Sequence, residues 1–503
     1  MIIQFNIKQV ILLTAILIGY KSYSQTIIEF DPSKTYQTIE NFGASDAWSC
    51  QFVGNWPDGK KNAIADLLFS IDTLNDGSPK GIGLSLWRYN IGAGSTNQGE
   101  KSGIKDEWRR AASFMDDNNE ATNRINSQNW FLVAAQKRGV KQFLGFFNSP
   151  PVNLTVNQKA FASKGITNIN ANHYKGFATY AIDAINKVKK STAITFNYIS
   201  PVNEPQWDWS DDKQEGCPYT NEEISKLVKS FDEEFIKNKI ETKIILPESG
   251  HLKYLLKAND KPGKDDQVNA FFSPSSSNYV GNLQTVNRLI ASHSYFSTSP
   301  YKNAIGLRKQ IAESISKVTD LKLWQTEYCI LGDNDGEING SKRDLGIDAA
   351  LYVAKVIHED LVFANASAWQ WWLSISPYNY KDGLIYIDKN KNDGNYYDSK
   401  MLWALGNYSA FIRPGMKRIE ASVTNDDLLV SAYKDNNSKT VIVVVNPTAA
   451  NQSLSLKEGK KLFDADKQLI IYTTDSTSNL KKNILTANEL IVPAKSVVSI
   501  IAD

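Results

Sequence analysis

From residue 40 to about 410 the chain alternates between two textures. Short β-branched and aromatic runs are separated by segments whose apolar residues recur every three or four positions. The strand-like runs are Ile39–Ala44, Gly83–Asn90, Gln142–Asn148, Thr195–Val202, Lys243–Pro247, Leu289–Tyr295, Lys322–Glu327 and Ala366–Leu373. Amphipathic patterns fall between them, among them Lys61–Phe69, Asn129–Arg138, Tyr174–Lys189, Asn221–Lys237, Ile305–Val318 and Leu345–Phe363. Strands and helices in strict alternation predict an α/β fold, a closed parallel (β/α)8 TIM barrel over residues 40–411. A doubly wound sheet usually carries a Gly-rich phosphate turn after its first strand, and Asn41-Phe42-Gly43-Ala44-Ser45 is not one. Beyond Phe411-Ile412-Arg413-Pro414-Gly415 the helical period disappears. Leu428–Tyr433, Thr440–Val445, Leu469–Tyr472 and Leu490–Ile501 alternate instead, with turn signals such as Asp435-Asn436-Asn437-Ser438 between them. Residues 412–503 therefore read as a fused C-terminal antiparallel β-sandwich side domain. Thr26–Thr38 is also β-like, and residues 25–39 are expected to pair with that side domain.

Bulk properties narrow the partners. At 503 residues the chain is long enough for a large domain and a smaller one. Fifty-six basic against 54 acidic residues leave a net charge of +2, which gives no global attraction to nucleic acid or an anionic membrane. A neutral substrate and a monomeric chain are the expectation. At the N-terminus, Lys8 precedes the apolar run Val10–Tyr20, and Ser22 and Ser24 flank Tyr23. This is the layout of a signal peptide over residues 1–24, cut before Gln25, which implies a secreted, periplasmic or cell-surface protein. The apolar run is far shorter than the ~20 residues of a spanning helix. Cys50 and Cys217 both fall in loop-like segments, so one disulfide and three free thiols are equally open. Cys329 reads as a small buried hydrophobe.

In such a barrel, chemistry collects at the C-terminal ends of the strands. Those ends supply Asp46 and Trp48, Arg88 and Asn90, Asn148, Asn203 and Glu204, Glu248, His293 and Tyr295, Glu327, and Trp369 to Trp372. Two of these residues dominate. Glu204 closes T-F-N-Y-I-S-P-V-N-E-P, and Glu327 closes K-L-W-Q-T-E-Y, 123 positions later (327 − 204). Either glutamate alone is as readily a helix-start turn or half of a buried salt bridge. Two carboxylates at two strand ends are the equipment for breaking a glycosidic bond with retention. Glu204 suits the acid/base, with Asn203 beside it to bind a sugar hydroxyl and Pro205 to fix the turn. Glu327 suits the nucleophile, kept ionised by Arg88 and hydrogen-bonded by Tyr295. His293 and Glu248 are weaker candidates, since each type is also common as a satisfied core or cap residue.

Trp48, Trp207, Trp209, Trp369, Trp371 and Trp372 fall near the same rim, where flat rings suit the apolar faces of sugars. Strand alternation forbids Trp369, Trp371 and Trp372 from all facing one way, so at least one is structural. The expected substrate contacts are Asp46, Trp48, Asn148, Trp207, Trp209, Glu248, Trp369 and Trp372. The segment Asp388–Gly394 imitates the opening of a calcium loop. Its sixth and twelfth positions are Asp393 and Ser399, not Gly and Glu, so it reads as a polar β-turn. No metal and no cofactor are expected.

The barrel resembles the clan A glycoside hydrolases, and the whole mature chain resembles glycoside hydrolase family 30. The resemblance is carried by Asn41–Ser45, Trp87–Gly92, Asn148-Ser149-Pro150-Pro151, Asn203-Glu204-Pro205, His293-Ser294-Tyr295, Trp324–Glu327, Trp369–Leu373 and Val492–Val497. It implies retention, with acid/base on Glu204 and nucleophile on Glu327. Within the family the chain is most similar to the endo-β-1,6-galactanase branch, which implies a galactan substrate. β-1,6-Glucan and xylan are the alternatives. Val152-Asn153 and Trp372-Leu373 depart from aromatic and Trp-Asn pairs common at those positions. A non-catalytic saccharide-binding protein is the rival from outside the enzymes, and possession of both glutamates with Arg88 and Asn203 argues against it.

Overall fold

The computed structural model describes residues 26–115, 118–437 and 439–502. The anticipated signal segment lies outside these described residues. The first strand is β1 (Thr26–Thr38). The barrel strands are β2 (Asn41–Ser45), β3 (Leu86–Asn90), β4 (Gln142–Phe146), β5 (Tyr198–Ser200), β6 (Lys243–Ser249), β7 (Val286–His293), β8 (Lys322–Glu327) and β9 (Ala368–Ser376). Neighbours from β2 to β9 pair in parallel, and β9 pairs with both β8 and β2, which closes the barrel.

The expected strands are all present, Lys322–Glu327 with the expected ends and the others with shifted ones. β3 starts at Leu86 because Gly83 takes a left-handed φ of +60° that interrupts extension. β5 is trimmed to Tyr198–Ser200 because its ladder partners on β4 run only from Leu144 to Phe146. The last runs on to Ser376, where it meets the parallel strand Gly383–Ile387. That strand pairs antiparallel with Tyr396–Asp398, so the Asp388–Gly394 segment is a hairpin loop.

The helices form where the period demanded. Asn221–Lys237 opens with a capping box between Thr220 and Glu223 and buries Ile224, Leu227, Val228, Phe231 and Phe235 along one stripe. The second sheet occupies the C-terminal region and is mostly antiparallel. β1 is one of its strands, antiparallel to Lys417–Val423 and parallel to Gln452–Glu458. Alternation along Thr440–Asn446 and Ser496–Ala502 gives this sheet two working faces. Ile442, Val444, Val498 and Ile500 enter the sheet's own core. Val441, Val443, Val445, Val497 and Ile501 join the core of the barrel. The helix Lys400–Ser409 seals the junction: Asn407 donates to the Tyr472 carbonyl, and the Ser499 hydroxyl donates to the Asn407 carbonyl.

All three cysteines are buried free thiols, so Cys50 and Cys217 are not bridged. The Cys217 sulfur instead accepts the Asn168 amide. The Cys329 sulfur lies 3.9 Å from the Tyr295 hydroxyl.

Candidate active site

Arg88 organises the mouth of the barrel from below. Its neighbours Trp87 and Tyr89 pack outward against Phe131 and Asn129 of the helix Asn119–Lys137, so Arg88 and Asn90 face inward. The guanidinium lies 3.7 Å from the Phe146 ring centroid. Nη1 donates to Glu327 Oε2 at 2.5 Å, and Nη2 donates to Asn203 Oδ1 at 3.0 Å. Glu248 Oε2 lies 3.7 Å from Nη2. The Tyr295 hydroxyl donates to the other Glu327 oxygen at 3.0 Å.

Glu204 is held by its backbone as much as by its side chain. It sits at φ +45°, an unfavourable region for a residue with a Cβ. Its amide donates to the Glu248 carbonyl, and its carbonyl accepts the Trp207 amide and the Trp209 indole N–H. His293 links the carboxylates. Nδ1 lies 2.9 Å from Glu204 Oε1 and 3.6 Å from Glu327 Oε1, and Nε2 lies 3.1 Å from Glu248 Oε2. An oxygen of Glu204, an oxygen of Glu327 and a nitrogen of His293 all fall within 4.8 Å of one another.

The electrostatics of this cluster separate its acids. Burial raises the Glu204 carboxyl above its ordinary value, and the charge of Glu327 adds to the effect, against the pull of His293. Burial would also raise Glu248, but Arg88 and His293 override it and hold that carboxyl down at about 2. Burial would lower His293, yet the surrounding carboxylates, Glu327 foremost, push it up to about 9. A protonated His293 donates from both ring nitrogens to the carboxylates around it.

The expected contacts sort into groups. Asn203, Glu204, Trp207, Trp209, Tyr295, Glu327 and Trp372 line one cavity of about 220 Å³. Trp48 stands edge-on to Trp372 at 5.4 Å. Asn148 is buried just beyond β4, and neither polar atom of its amide has a partner.

Three expected substrate contacts are corrected. Asp46 is 1 % exposed, and its two oxygens accept the Asn90 amide and the Gln128 side chain. It therefore splices β2 to β3, and burial raises it to about 7. Glu248 is fully buried, and Ser200, Thr326 and His293 occupy its oxygens. Trp369 turns away from the cleft and donates its indole N–H to Asp360 on the outer helix Ile347–Val362. Trp371 turns outward too, to the Asp382 carbonyl.

Phe296, Leu331 and Gln214 line the cavity and were not singled out in the sequence. Only the position of Phe296, directly after a strand-end tyrosine, offered a signal. Glu215 was also missed. Its buried carboxylate accepts the Ala93 and Ser95 amides and the Ser95 hydroxyl, which ties the loop bearing Trp207 and Trp209 to the loop after β3.

A closed parallel barrel whose mouth gathers paired carboxylates between aromatic walls is the architecture of an O-glycosyl hydrolase acting on carbohydrate. Sequence comparison narrows the class to one family. Residues 25–386 match the O-Glycosyl hydrolase family 30, and residues 415–500 match the Glycosyl hydrolase family 30 beta sandwich domain. The chain belongs to glycoside hydrolase family 30. It is 24 % identical over 450 residues to an endo-beta-1,6-galactanase of Hypocrea rufa, covering 86 % of this chain and 83 % of that one. It is 28 % identical over 374 residues to a glucuronoxylanase of Bacillus subtilis, covering 71 % and 72 %. Among solved structures, a conserved exported protein from Bacteroides fragilis superposes with a TM-score of 0.85 at 32 % identity, covering 95 % of this chain and all of that one.

Proposed function

We propose that the protein is a retaining endo-β-1,6-galactanase in which Glu327 is the nucleophile and Glu204 the acid/base. The observation that carries the mechanism is the separation of the two carboxylates. Oxygens within 4.8 Å of each other suit the ~5–5.5 Å carboxyl spacing of double displacement and leave no room for the water of an inverting enzyme.

Charge bookkeeping supports the same roles. Arg88 and His293 supply two positive charges among Glu204, Glu248 and Glu327. With Glu204 protonated, the buried cluster is neutral. Glu327 attacks the anomeric carbon as the bond to the leaving oxygen breaks, and the Glu204 proton passes to that oxygen. The ester removes the charge of Glu327 while Glu204 gains one, so the cluster stays neutral. Glu204 then takes a proton from water, whose oxygen displaces Glu327 from the sugar. Each half-reaction moves charge between neighbours without stranding any in a low-dielectric site. Asn203, fixed by Arg88, is placed to bind a hydroxyl of the sugar under attack.

Galactan is favoured by the relative from Hypocrea rufa, which matches most of both chains. The greater identity to the Bacillus subtilis glucuronoxylanase, over a shorter span, makes xylan the second reading. Export by a signal at residues 1–24 is supported by the exported relative from Bacteroides fragilis. Incubation with β-1,6-galactan, β-1,6-glucan, glucuronoxylan and neutral xylan, with products sized and their anomeric configuration followed by NMR, tests the proposal. Oligomeric β-configured products from galactan are expected. Preferential cleavage of a xylan or glucan would overturn the substrate, and initial α-products would overturn the mechanism.

A further inference from the structure

The hydrolytic steps leave Phe296 without a role. It directly follows Tyr295, it is 54 % exposed, and its backbone is left-handed at φ +55°. An exposed phenyl ring on an unfavourable backbone gains little from packing. Its surroundings are nonetheless fitted to it. Gly332, itself at φ +73°, lies beneath the ring, and a Cβ there would come within 3.3 Å of it. Trp207 stands perpendicular to Phe296, with ring centroids 6.3 Å apart and planes at 84°. Trp207 is braced from elsewhere by Tyr254, and by Gly250, where a Cβ would fall 2.5 Å from the indole nitrogen. Two perpendicular aromatic rings thus form a supported corner that lines the catalytic cavity.

The position of the corner sets which sugar it meets. Asn90 and Asn148, at the ends of β3 and β4, carry buried amide atoms with no protein partner. Trp207 and Phe296 follow β5 and β7, beyond Glu204, and a Cβ placed on Gly250 would meet both the Trp207 indole nitrogen and Glu204 Cβ, which sets the ring beside the acid. The oxygen that receives the Glu204 proton, and the ring attached to it, meet the corner that lines the cavity beside this acid.

We propose that Phe296 and Trp207 form the subsite for the leaving sugar, a neutral pyranose that lays an apolar C–H face on Phe296 with Trp207 at its edge. This rests on the retaining reading. By microscopic reversibility the corner also binds an acceptor sugar, so transfer from the glycosyl-enzyme to an acceptor reads out this subsite. The ester bond from the sugar to Glu327 breaks, the anomeric carbon bonds to an acceptor hydroxyl oxygen, and the hydroxyl proton goes to Glu204.

The test follows one aryl β-glycoside donor with increasing concentrations of a galactobiose acceptor and measures the ratio of transfer to hydrolysis. Both products arise from the same glycosyl-enzyme, so the ratio is independent of overall activity. Saturable transfer is expected in the native enzyme. Phe296→Ala should raise the acceptor concentration for half-maximal transfer by roughly threefold to tenfold, and Phe296→Trp should restore it. A half-maximal concentration unchanged in Phe296→Ala, or a native enzyme that only hydrolyses at every acceptor concentration, overturns the proposal. If no donor turns over, the retaining reading fails, and calorimetric titration with galacto-oligosaccharide then decides the subsite. Weaker binding by Phe296→Ala sustains it, and equal binding overturns it.

Discussion

His293 offers the sharpest test of the electrostatic argument, because it touches both Glu204 and Glu248 and is closed to solvent. Replacing it with Gln keeps a side chain of hydrogen-bonding reach and removes the positive charge. The rise from 6.5 to about 9 corresponds to roughly 3 kcal/mol of preference for the protonated ring in the folded state. Because this folded value lies above the unfolded one, the stabilisation is fully present below about pH 6.5 and is lost as pH rises through about 9. Urea denaturation of the native and His293→Gln proteins should therefore differ by about 3 kcal/mol at pH 6, with the gap closing toward pH 10. Kinetics supply the second readout. Loss of the cation makes Glu204 harder to ionise, so the alkaline limb of the pH–rate profile should move up by roughly 1–3 pH units. The same change makes Glu204 a weaker acid toward the leaving oxygen and a stronger base toward water, so the first half-reaction should slow more than the second and no burst of glycosyl-enzyme should appear. A stability gap independent of pH, or an alkaline limb that stays in place or moves down, would refute the reasoning.

Two further outcomes follow from the same cluster. Glu327→Ala should abolish turnover, with azide restoring an α-glycosyl azide product. Glu204→Ala should cost roughly 10²–10⁴-fold on galactan and spare the first step on activated aryl glycosides, measured by stopped-flow release of the phenol. Equal losses on both substrate types would remove Glu204 from the acid role. Gly250→Ala would set a Cβ 2.5 Å from the Trp207 indole nitrogen and 3.2 Å from Glu204 Cβ. Overpacking of this kind costs about 1–3 kcal/mol, so a lowered melting temperature together with a weaker KM for galactan is expected. An unchanged KM would show that Trp207 is not held by this contact.

The barrel was legible because its strands are β-branched runs set between helices of clear period, and those signals are local. Glu204 and Glu327 were legible for the same reason, as carboxylates where apolar runs stop. What the sequence concealed depends on partners distant along the chain. Glu248 looks like any other strand-end acid until Ser200 and Thr326 are seen on its oxygens. Asp46 misled in the same way, because its partners Asn90 and Gln128 arrive from other segments. Alternation required the tryptophans of β9 to divide between two faces but did not say how. Inward Gln370, bonded to Asn41 inside the barrel, sets the phase that sends Trp369 and Trp371 out and Trp372 in. Phe296 escaped notice because a phenylalanine in a loop announces no chemistry. Its exposure on a left-handed backbone is visible only in the fold.

The placement of β1 imposes an order on the birth of the molecule. Its amide at Ile27 bonds to Thr424, 397 residues further along. At ~5–20 residues per second, the ribosome needs on the order of 20–80 s to deliver that partner. Through this interval the barrel segments emerge and can close, while the first strand waits with its backbone unclaimed. A bare strand invites mispairing with another nascent chain. The strand is written against that hazard: Glu29, Asp31, Pro32 and Lys34 interrupt its apolar positions with charge and a missing donor. Lys417–Val423 and Gln452–Glu458, made long after β1, are thus the strands that fasten it.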